Sequence, residues 1–215
     1  MSFVEYLERN ADRITLLTLQ HVQVVLLSVA FATVIGVGLG LGTERTPRLR
    51  RTMLALTGTL LTIPSFALFG LLIPVLGLGL APTIVALTVY AVFPILRNTV
   101  TGLDGVEPAV VDAARGMGMG SWQRLRLVRL PLAWPVILNG VRVATIMLVA
   151  IAAIGAAVQG PGLGELIFRG LARIGGANAL NEALSGVVGV VLVALVLDLT
   201  FLIVGRLTTP RGLHG

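Results

Sequence analysis

Long uninterrupted apolar runs constrain this chain more than any other feature of its sequence. A helix needs about 20 apolar residues to cross a bilayer, and the chain holds several runs of roughly that length between short polar segments. The runs are continuously apolar and do not alternate in polarity, which favours helices over the strands of a membrane β-barrel. Because charged residues make up only 12% of the chain and hydrophobic residues 56%, we expect an all-α integral membrane protein.

We predict five membrane-spanning helices in a single transmembrane domain that covers residues 1–215. The third predicted span is short for a bilayer crossing and can extend toward Thr101. The five spans are Gln20–Gly42, Met53–Leu76, Ala81–Leu96, Val136–Val158 and Leu184–Gly205.

The distribution of arginine between the spans predicts the orientation. All sixteen basic residues are arginine, and cytoplasmic loops are enriched in basic residues. The N-terminus is therefore expected outside, with a cytoplasmic central segment at about residues 98–131 and an outer loop at about residues 159–183. The net charge of +6 then reports orientation, and nucleic-acid binding is not expected. Twelve arginines fall on the predicted cytoplasmic side: Arg45, Arg48, Arg50, Arg51, Arg97, Arg115, Arg124, Arg126, Arg129, Arg142, Arg206 and Arg211.

Several kinds of chemistry have no residues to support them. The chain has no lysine, which a P-loop needs to reach nucleotide phosphates, so we expect that it does not hydrolyse ATP itself. It has no cysteine, and its two histidines, His21 and His214, lie far apart outside any metal-binding pattern. We expect no catalytic residue, no metal site and no cofactor in this chain.

The central segment predicts two short amphipathic helices joined at glycines. Pro108 is suited to open the first helix and Ser121 to cap the second, while Pro131 is expected to end it. Gly116 and Gly118 interrupt the helical pattern between them. Such a pair of helices is suited to docking into a groove on another protein; a surface loop that only stabilises its own chain is the alternative.

The spacing within the central segment resembles a cytoplasmic loop of the permeases of bacterial ATP-binding cassette importers. Their pattern is Glu-Ala-Ala, three residues, Gly, nine residues and Ile-x-Leu-Pro. This chain matches every spacing, with Asp112 in place of Glu and Val128 in place of Ile. The resemblance implies that the following residues couple the chain to an ATPase: Asp112, Ala113, Ala114, Gly116, Gly118, Val128, Leu130 and Pro131.

The chain is also similar to a narrower branch, the permeases for quaternary-ammonium osmoprotectants. This resemblance implies import of glycine betaine, choline or carnitine. An importer permease for another small solute, such as an amino acid, is the alternative, and a passive channel is an alternative of a different class. The similar stretches are Thr18–His21, Thr62–Ser65, Pro94–Thr99, Ala113–Met119 and Gly160–Gly164.

The family resemblance implies a multi-subunit assembly in the bacterial cell membrane. Two cytoplasmic ATPase subunits would bind ATP and Mg, and a second permease chain, identical or homologous, would complete the membrane part. An extracytoplasmic protein would bind the solute. Transport would follow from alternating access, in which rigid bodies reorient around the pathway.

Polar and aromatic residues inside the spans are candidate pathway positions. Thr62, Pro64 and Ser65 interrupt span two, either as a kink that lines the pathway or as a packed kink. In span three, Tyr90 and Phe93 offer either a cation–π surface for an ammonium group or ordinary core packing. Asn98, at the end of that span, is a further pathway candidate.

Two charged residues inside the predicted spans are expected to interact. Arg142 lies in span four and Asp198 in span five, at similar predicted depth. Charged groups inside a membrane are costly unless they are paired. We therefore predict an ion pair between them; separate snorkelling of each side chain to the interface is the alternative.

Overall fold

The computed structural model describes residues 1–209, and in this part of the chain all regular structure is helical. The prediction of an all-α chain is confirmed. Arg211 and His214 lie outside the described residues. The α-helices are α1 (Phe3–Arg9), α2 (Ala11–Gly42), α3 (Pro47–Leu60), α4 (Ser65–Leu76), α5 (Leu80–Asp104), α6 (Pro108–Gly116), α7 (Ser121–Arg124), α8 (Leu130–Ile154), α9 (Gly164–Ala172) and α10 (Ala179–Thr208).

Four helical stretches are each long and apolar enough to cross a membrane. They are α2, α5, α10 and the continuous stretch Ser121–Val158, which contains α7 and α8. Helices α3 and α4 reach that length and polarity only as a pair, and the pair is bent by 95°. The described residues therefore hold four candidate spans, or five when the bent pair counts as one.

Helix α5 lies at the centre and packs along both α2 and α8. Its fully buried side chains include Leu87, Ile95 and Leu96. Glycines let the helices approach closely: a Cβ on Gly40 of α2 would lie 2.5 Å from Thr99 Cγ2, and a Cβ on Gly140 of α8 would lie 2.5 Å from Asn98 Cβ. Small residues at such crossings are typical of helix pairs in membranes.

Two predicted boundaries in the central segment are wrong. Pro131 does not end a helix, because the chain passes from α7 through a π-helical turn, Leu125–Arg129, directly into α8. In that turn the Leu130 N–H donates to the carbonyl of Leu125. The wider turn accommodates a proline ring that would clash in a regular helix.

The predicted cap of the second short helix is also displaced by one residue. Gly120, not Ser121, is the N-cap. The Gln123 side chain accepts a 2.8 Å hydrogen bond from the Gly120 N–H, so the residue three positions after the cap satisfies a backbone donor.

The two ends of the helix bundle differ in their polar residues. At one end, which we call the basic end, lie the α2–α3 turn, the end of α5 and the central segment. At the opposite end lie α1, the turn at Gly77–Gly79 and α9. Helix α9 packs mainly against α10. Helix α9 falls inside the predicted outer loop, so this loop is partly helical.

Candidate functional site

Helix α6 of the central segment ends in a glycine turn that only a few residue types can adopt. Pro108 occupies its first turn. After α6, the Gly118 N–H donates to Arg115 O at 3.0 Å and the Met119 N–H to Ala114 O at 3.2 Å. Gly118 has a φ of 81°. These bonds form the Schellman motif, which needs a left-handed residue at this place and favours glycine.

Most of the predicted coupling residues lie on the projecting surface of the central segment. Ala114 is the exception on α6, since it is 2% exposed and faces the rest of the protein. Large apolar side chains accompany the exposed set, with Met117 71% and Trp122 67% exposed. Exposed apolar side chains beside a glycine turn fit a surface that another protein covers. The exposed residues of the predicted set are Asp112, Ala113, Gly116, Gly118 and Pro131.

The other two predicted coupling residues lie at the root of the central segment. Val128 and Leu130 are half-buried. Leu130 packs against a buried cluster that contains Leu103, Ala133 and Ile137. Leu130 therefore anchors the segment to the helices, and neither residue is fully exposed on its outer surface.

Ion pairs that the sequence analysis missed tie the basic end together. Arg129 pairs with Glu44 and also donates a 3.0 Å hydrogen bond to the carbonyl of Leu103. Arg50 binds both carboxylate oxygens of Asp104, at 2.9 and 2.7 Å. In the sequence, these two arginines contribute only to the excess of positive charge that predicts the orientation. Their partners are distant in sequence, so no local pattern points to these pairs.

The bend between α3 and α4 lies at the predicted interruption of span two. The Thr62 hydroxyl donates to Thr59 O at 2.7 Å, and the Tyr90 hydroxyl donates to Ile63 O at 2.5 Å. The Tyr90 bond satisfies the carbonyl beside Pro64, where the helix hydrogen bonds stop. The Thr59 carbonyl also accepts from the Thr62 N–H. Thr62 and Pro64 are exposed and Ser65 is half-buried, so the bend is open on one side.

The two aromatic candidates of α5 differ in their exposure. Tyr90 is 2% exposed and donates its hydroxyl to the bend at Ile63, which agrees with core packing. Phe93 is half-buried, and a Cβ on Gly58 of α3 would lie 3.1 Å from its ring. Asn98 is half-buried and donates to Pro94 O at 2.8 Å within α5. A cation–π surface at Tyr90 and Phe93 stays a prediction.

The structure brings Arg142 and Asp198 together. Arg142 Nε lies 2.6 Å from Asp198 Oδ1, and its Nη2 lies 2.8 Å from Oδ2. This two-bond geometry is the strong form of the arginine–carboxylate pair. It joins α8 to α10, whose side chains are otherwise mostly exposed and apolar. Arg142 also borders a cavity of about 250 Å³ at the basic end, lined by Asn139 and Phe201 among others.

A second charged cluster, which sequence reasoning also missed, lies at the opposite end. Arg13 of α2 contacts Glu165 and Glu182, each at 3.1 Å, and Arg169 contacts Glu165 at 2.9 Å. Burial alone would raise the pKa of the Glu165 carboxyl, but hydrogen bonds from Arg169 and Arg13 outweigh it and hold the pKa below its ordinary value. The cluster fastens α9 to α2 and α10.

Comparison with known proteins gives relatives along the full chain. Over 219 residues the chain is 38% identical to the osmoprotectant import permease protein OsmW of Salmonella typhimurium, and the match covers 100% of both chains. It is 35% identical to the glycine betaine/carnitine/choline transport system permease protein OpuCB of Bacillus subtilis, covering 98% of this chain and 95% of that one.

A solved structure shares the fold. The chain superposes on inward-facing MetNI, a methionine ABC transporter, with a TM-score of 0.80 and 27% identity, over 92% of this chain and 96% of that one. The family model described as binding-protein-dependent transport system inner membrane component matches residues 32–211. The chain therefore belongs to the family of inner membrane components of binding-protein-dependent transport systems.

Proposed function

We propose that this chain is the permease subunit of an ATP-driven importer of small quaternary-ammonium osmoprotectants such as glycine betaine, choline or carnitine. The observation that carries the proposal is the 38% identity to an osmoprotectant import permease over the whole of both chains. A second relative, OpuCB, is named for transport of all three solutes. Identity to the methionine transporter MetNI is lower, at 27%, which favours osmoprotectants over methionine.

The partners in this proposal follow from what the chain lacks and what it exposes. Without lysine it has no P-loop, so two separate cytoplasmic ATPase subunits bind ATP and Mg. The exposed surface of the central segment, around Met117 and Trp122, docks into them. A second permease chain and an extracytoplasmic solute-binding protein complete the assembly.

The proposed orientation places the basic end in the bacterial cytoplasm and the N-terminus outside the cell membrane. Most arginines of the loops lie at that end, as the positive-inside rule requires. The bent pair of α3 and α4 then counts as one of five spans. In this orientation the charged cluster around Glu165 faces the outside, where the solute-binding protein docks.

ATP binding, in this account, draws the two ATPases together and moves the central segments docked in them. Because α5 packs closely on α2 and α8 (Gly40 against Thr99, Gly140 against Asn98), the three helices move as one body. Their rotation relative to the second permease closes the pathway on one side and opens it on the other. This is alternating access without any chemistry in the chain itself.

Uptake by the whole transporter tests this function. The chain is expressed with the ATPase, second permease and solute-binding protein of its own system, in cells that lack other osmoprotectant uptake. We expect ATP-dependent accumulation of labelled glycine betaine, choline or carnitine that excess methionine does not reduce. Uptake of methionine alone would replace the proposed substrate class, and solute flux that continues without ATP would favour a passive channel.

A further inference from the structure

The root of the central segment, where the chain enters α8, is held by side chains from two other parts of the protein. Arg129 pairs with Glu44 from the α2–α3 turn and donates to the Leu103 carbonyl at the end of α5. One guanidinium thus links three segments. Glu44 is itself held in place, since Arg50 donates a 3.0 Å hydrogen bond to its carbonyl oxygen.

This ion pair is sheltered from water. The Arg129 side chain is 20% exposed and that of Glu44 is 18% exposed, whereas Asp104 in the neighbouring pair with Arg50 is 52% exposed. An apolar cluster that includes Leu103 lies beneath it. Ion pairs with restricted access to water are screened less and hold a geometry more firmly than those at an open surface.

Apolar packing holds only one side of the segment at this place, where Leu130 lies against the cluster that contains Leu103. A cavity of about 420 Å³ separates it from the α2–α3 turn, with Leu41, Val111 and Trp122 among its lining residues. The root is also a π-helical turn, Leu125–Arg129, and such turns are less regular than an α-helix and frequently occur at functional places. Glu44 and Arg129 both line the cavity, and their ion pair joins the end of the π-helical turn to the α2–α3 turn across it.

We propose that Glu44 and Arg129 are positioning residues that make the root of the central segment move together with α2 and α5. This inference rests on the proposed function, because it concerns how movement of a docked segment reaches the membrane helices. Without the pair, the π-helical turn absorbs the movement locally. ATP is then hydrolysed without the corresponding reorientation of the three helices.

The measurement is the number of ATP molecules hydrolysed per solute imported, in the complete transporter reconstituted in vesicles. We expect Glu44→Gln and Arg129→Gln each to raise this ratio by about twofold or more. The double variant should raise it no further than Arg129→Gln alone, because that single variant already removes the ion pair together with the bond to the Leu103 carbonyl. Arg48→Gln is the matched control: Arg48 is an exposed arginine of the same basic end and has no ion pair within residues 1–209. Its ratio should equal that of the wild type.

A covalent cross-link in place of the ion pair gives a second test that remains decisive if one of the single variants assembles poorly. The chain has no cysteine of its own, so a Glu44→Cys and Arg129→Cys double variant carries the only thiols in it. Bridging them with a short reversible cross-linker should return the ratio to the wild-type value, and reductant should raise it again. A ratio that stays raised while the bridge is intact would overturn the proposal.

The outcomes separate this inference from the proposed function. A wild-type transporter that hydrolyses ATP but imports no quaternary ammonium solute would refute the function. Import by the wild type, together with an unchanged ratio in Glu44→Gln, would refute the role of the pair and leave the function standing. Additive effects in the double variant would also count against the pair, because independent contributions add.

Discussion

At the scale of single residues, Gly118 shows how a motif position follows from backbone geometry. Its φ of 81° lies in the left-handed region, and apart from Gly118 and its two neighbours no atom of the described chain lies within 4 Å of where a Cβ would be. Glycine is therefore needed here for the turn and not for close packing inside this chain. Since Gly118 lies in the turn that follows α6 and precedes α7, this turn sets the direction in which α7 leaves.

Gly118→Val should leave membrane insertion intact but uncouple ATP hydrolysis from uptake. A β-branched residue with a left-handed backbone costs about 1–2 kcal/mol, so the turn rearranges and the exposed surface of the central segment changes shape. Gly118→Asn is the matched variant, because asparagine tolerates this backbone and should retain most of the coupling. Equal loss in both variants would contradict the explanation from backbone geometry.

The pair between Arg142 and Asp198 leads to a prediction about stability. Asp198→Asn leaves the Arg142 guanidinium without its counter-charge in an apolar setting, so we expect a lower melting temperature and less protein in the membrane. The Arg142→Gln and Asp198→Asn double variant should lose less than the sum of the two single variants. Thr200→Val on the same helix serves as control, since Thr200 is exposed and bonds only within α10. Additive losses would mean that the two residues act separately.

Residues such as Arg142 could be found from the sequence, whereas Glu44 and Arg13 could not. A charge within an apolar run is conspicuous, and its cost requires a partner. Glu44 and Arg13 lie in polar segments where charges are ordinary, and their partners come from distant parts of the chain. Only the packing of the helices brings these groups together.

At the scale of elements, the length of the apolar runs predicted the long helices well. The signals of hydropathy, capping residues and proline predicted the ends of the helices poorly. Helix α2 starts at Ala11, before the predicted Gln20, and α5 continues past Leu96 to Asp104. Polar residues outside a span can remain helical, so hydropathy locates the apolar part and not the whole helix. The helix likewise continues through Pro131 because the π-helical turn before it makes room for the proline ring.

Close packing of α2 against α5 leads to a prediction with an internal control. Gly40→Ala should destabilise the protein by about 1–3 kcal/mol, because the added methyl group has no space beside Thr99. Gly38→Ala on the same helix has nothing within 4 Å of the added carbon and should be neutral or slightly stabilising. Thermal melting of the purified protein measures both. A similar loss in the two variants would contradict the proposed contact between α2 and α5.

At the scale of the whole molecule, apolar helices are held at each end by charged groups. Glu44, Arg50, Asp104 and Arg129 join segments at the basic end, and the cluster around Glu165 does so at the opposite end. Between them, polar contacts between different helices are few in the described chain, and the pair of Arg142 with Asp198 is the strongest by geometry. The charged groups at both ends therefore add to the apolar packing that joins the helices.

The cluster at the opposite end predicts a dependence of stability on pH. The pKa of Glu165 is lowered in the folded protein, so its contribution is present at neutral pH and is lost as the pH falls below the ordinary value of 4.5 and through the lowered value. Melting temperatures measured across this range should fall with pH. The Glu165→Gln variant should have a lower melting temperature at neutral pH, and this temperature should fall less as the pH is lowered. If the variant's melting temperature fell with pH as steeply as that of the wild type, other carboxyl groups would be responsible for the dependence.

The central claim is that the central segment is a cytoplasmic surface bound by an ATPase, and one cysteine at a time tests it most directly. Because the chain has no cysteine, Met117→Cys places its only thiol on the central segment, and Ile174→Cys places one at the opposite end; these residues are 71% and 75% exposed. In membranes that contain the complete transporter, we expect the thiol at position 117 to cross-link to the ATPase subunit and to resist impermeant reagents added outside. The thiol at position 174 should react from outside and give no such cross-link. The reverse pattern, or a thiol at position 117 that never reaches the ATPase, would contradict the account.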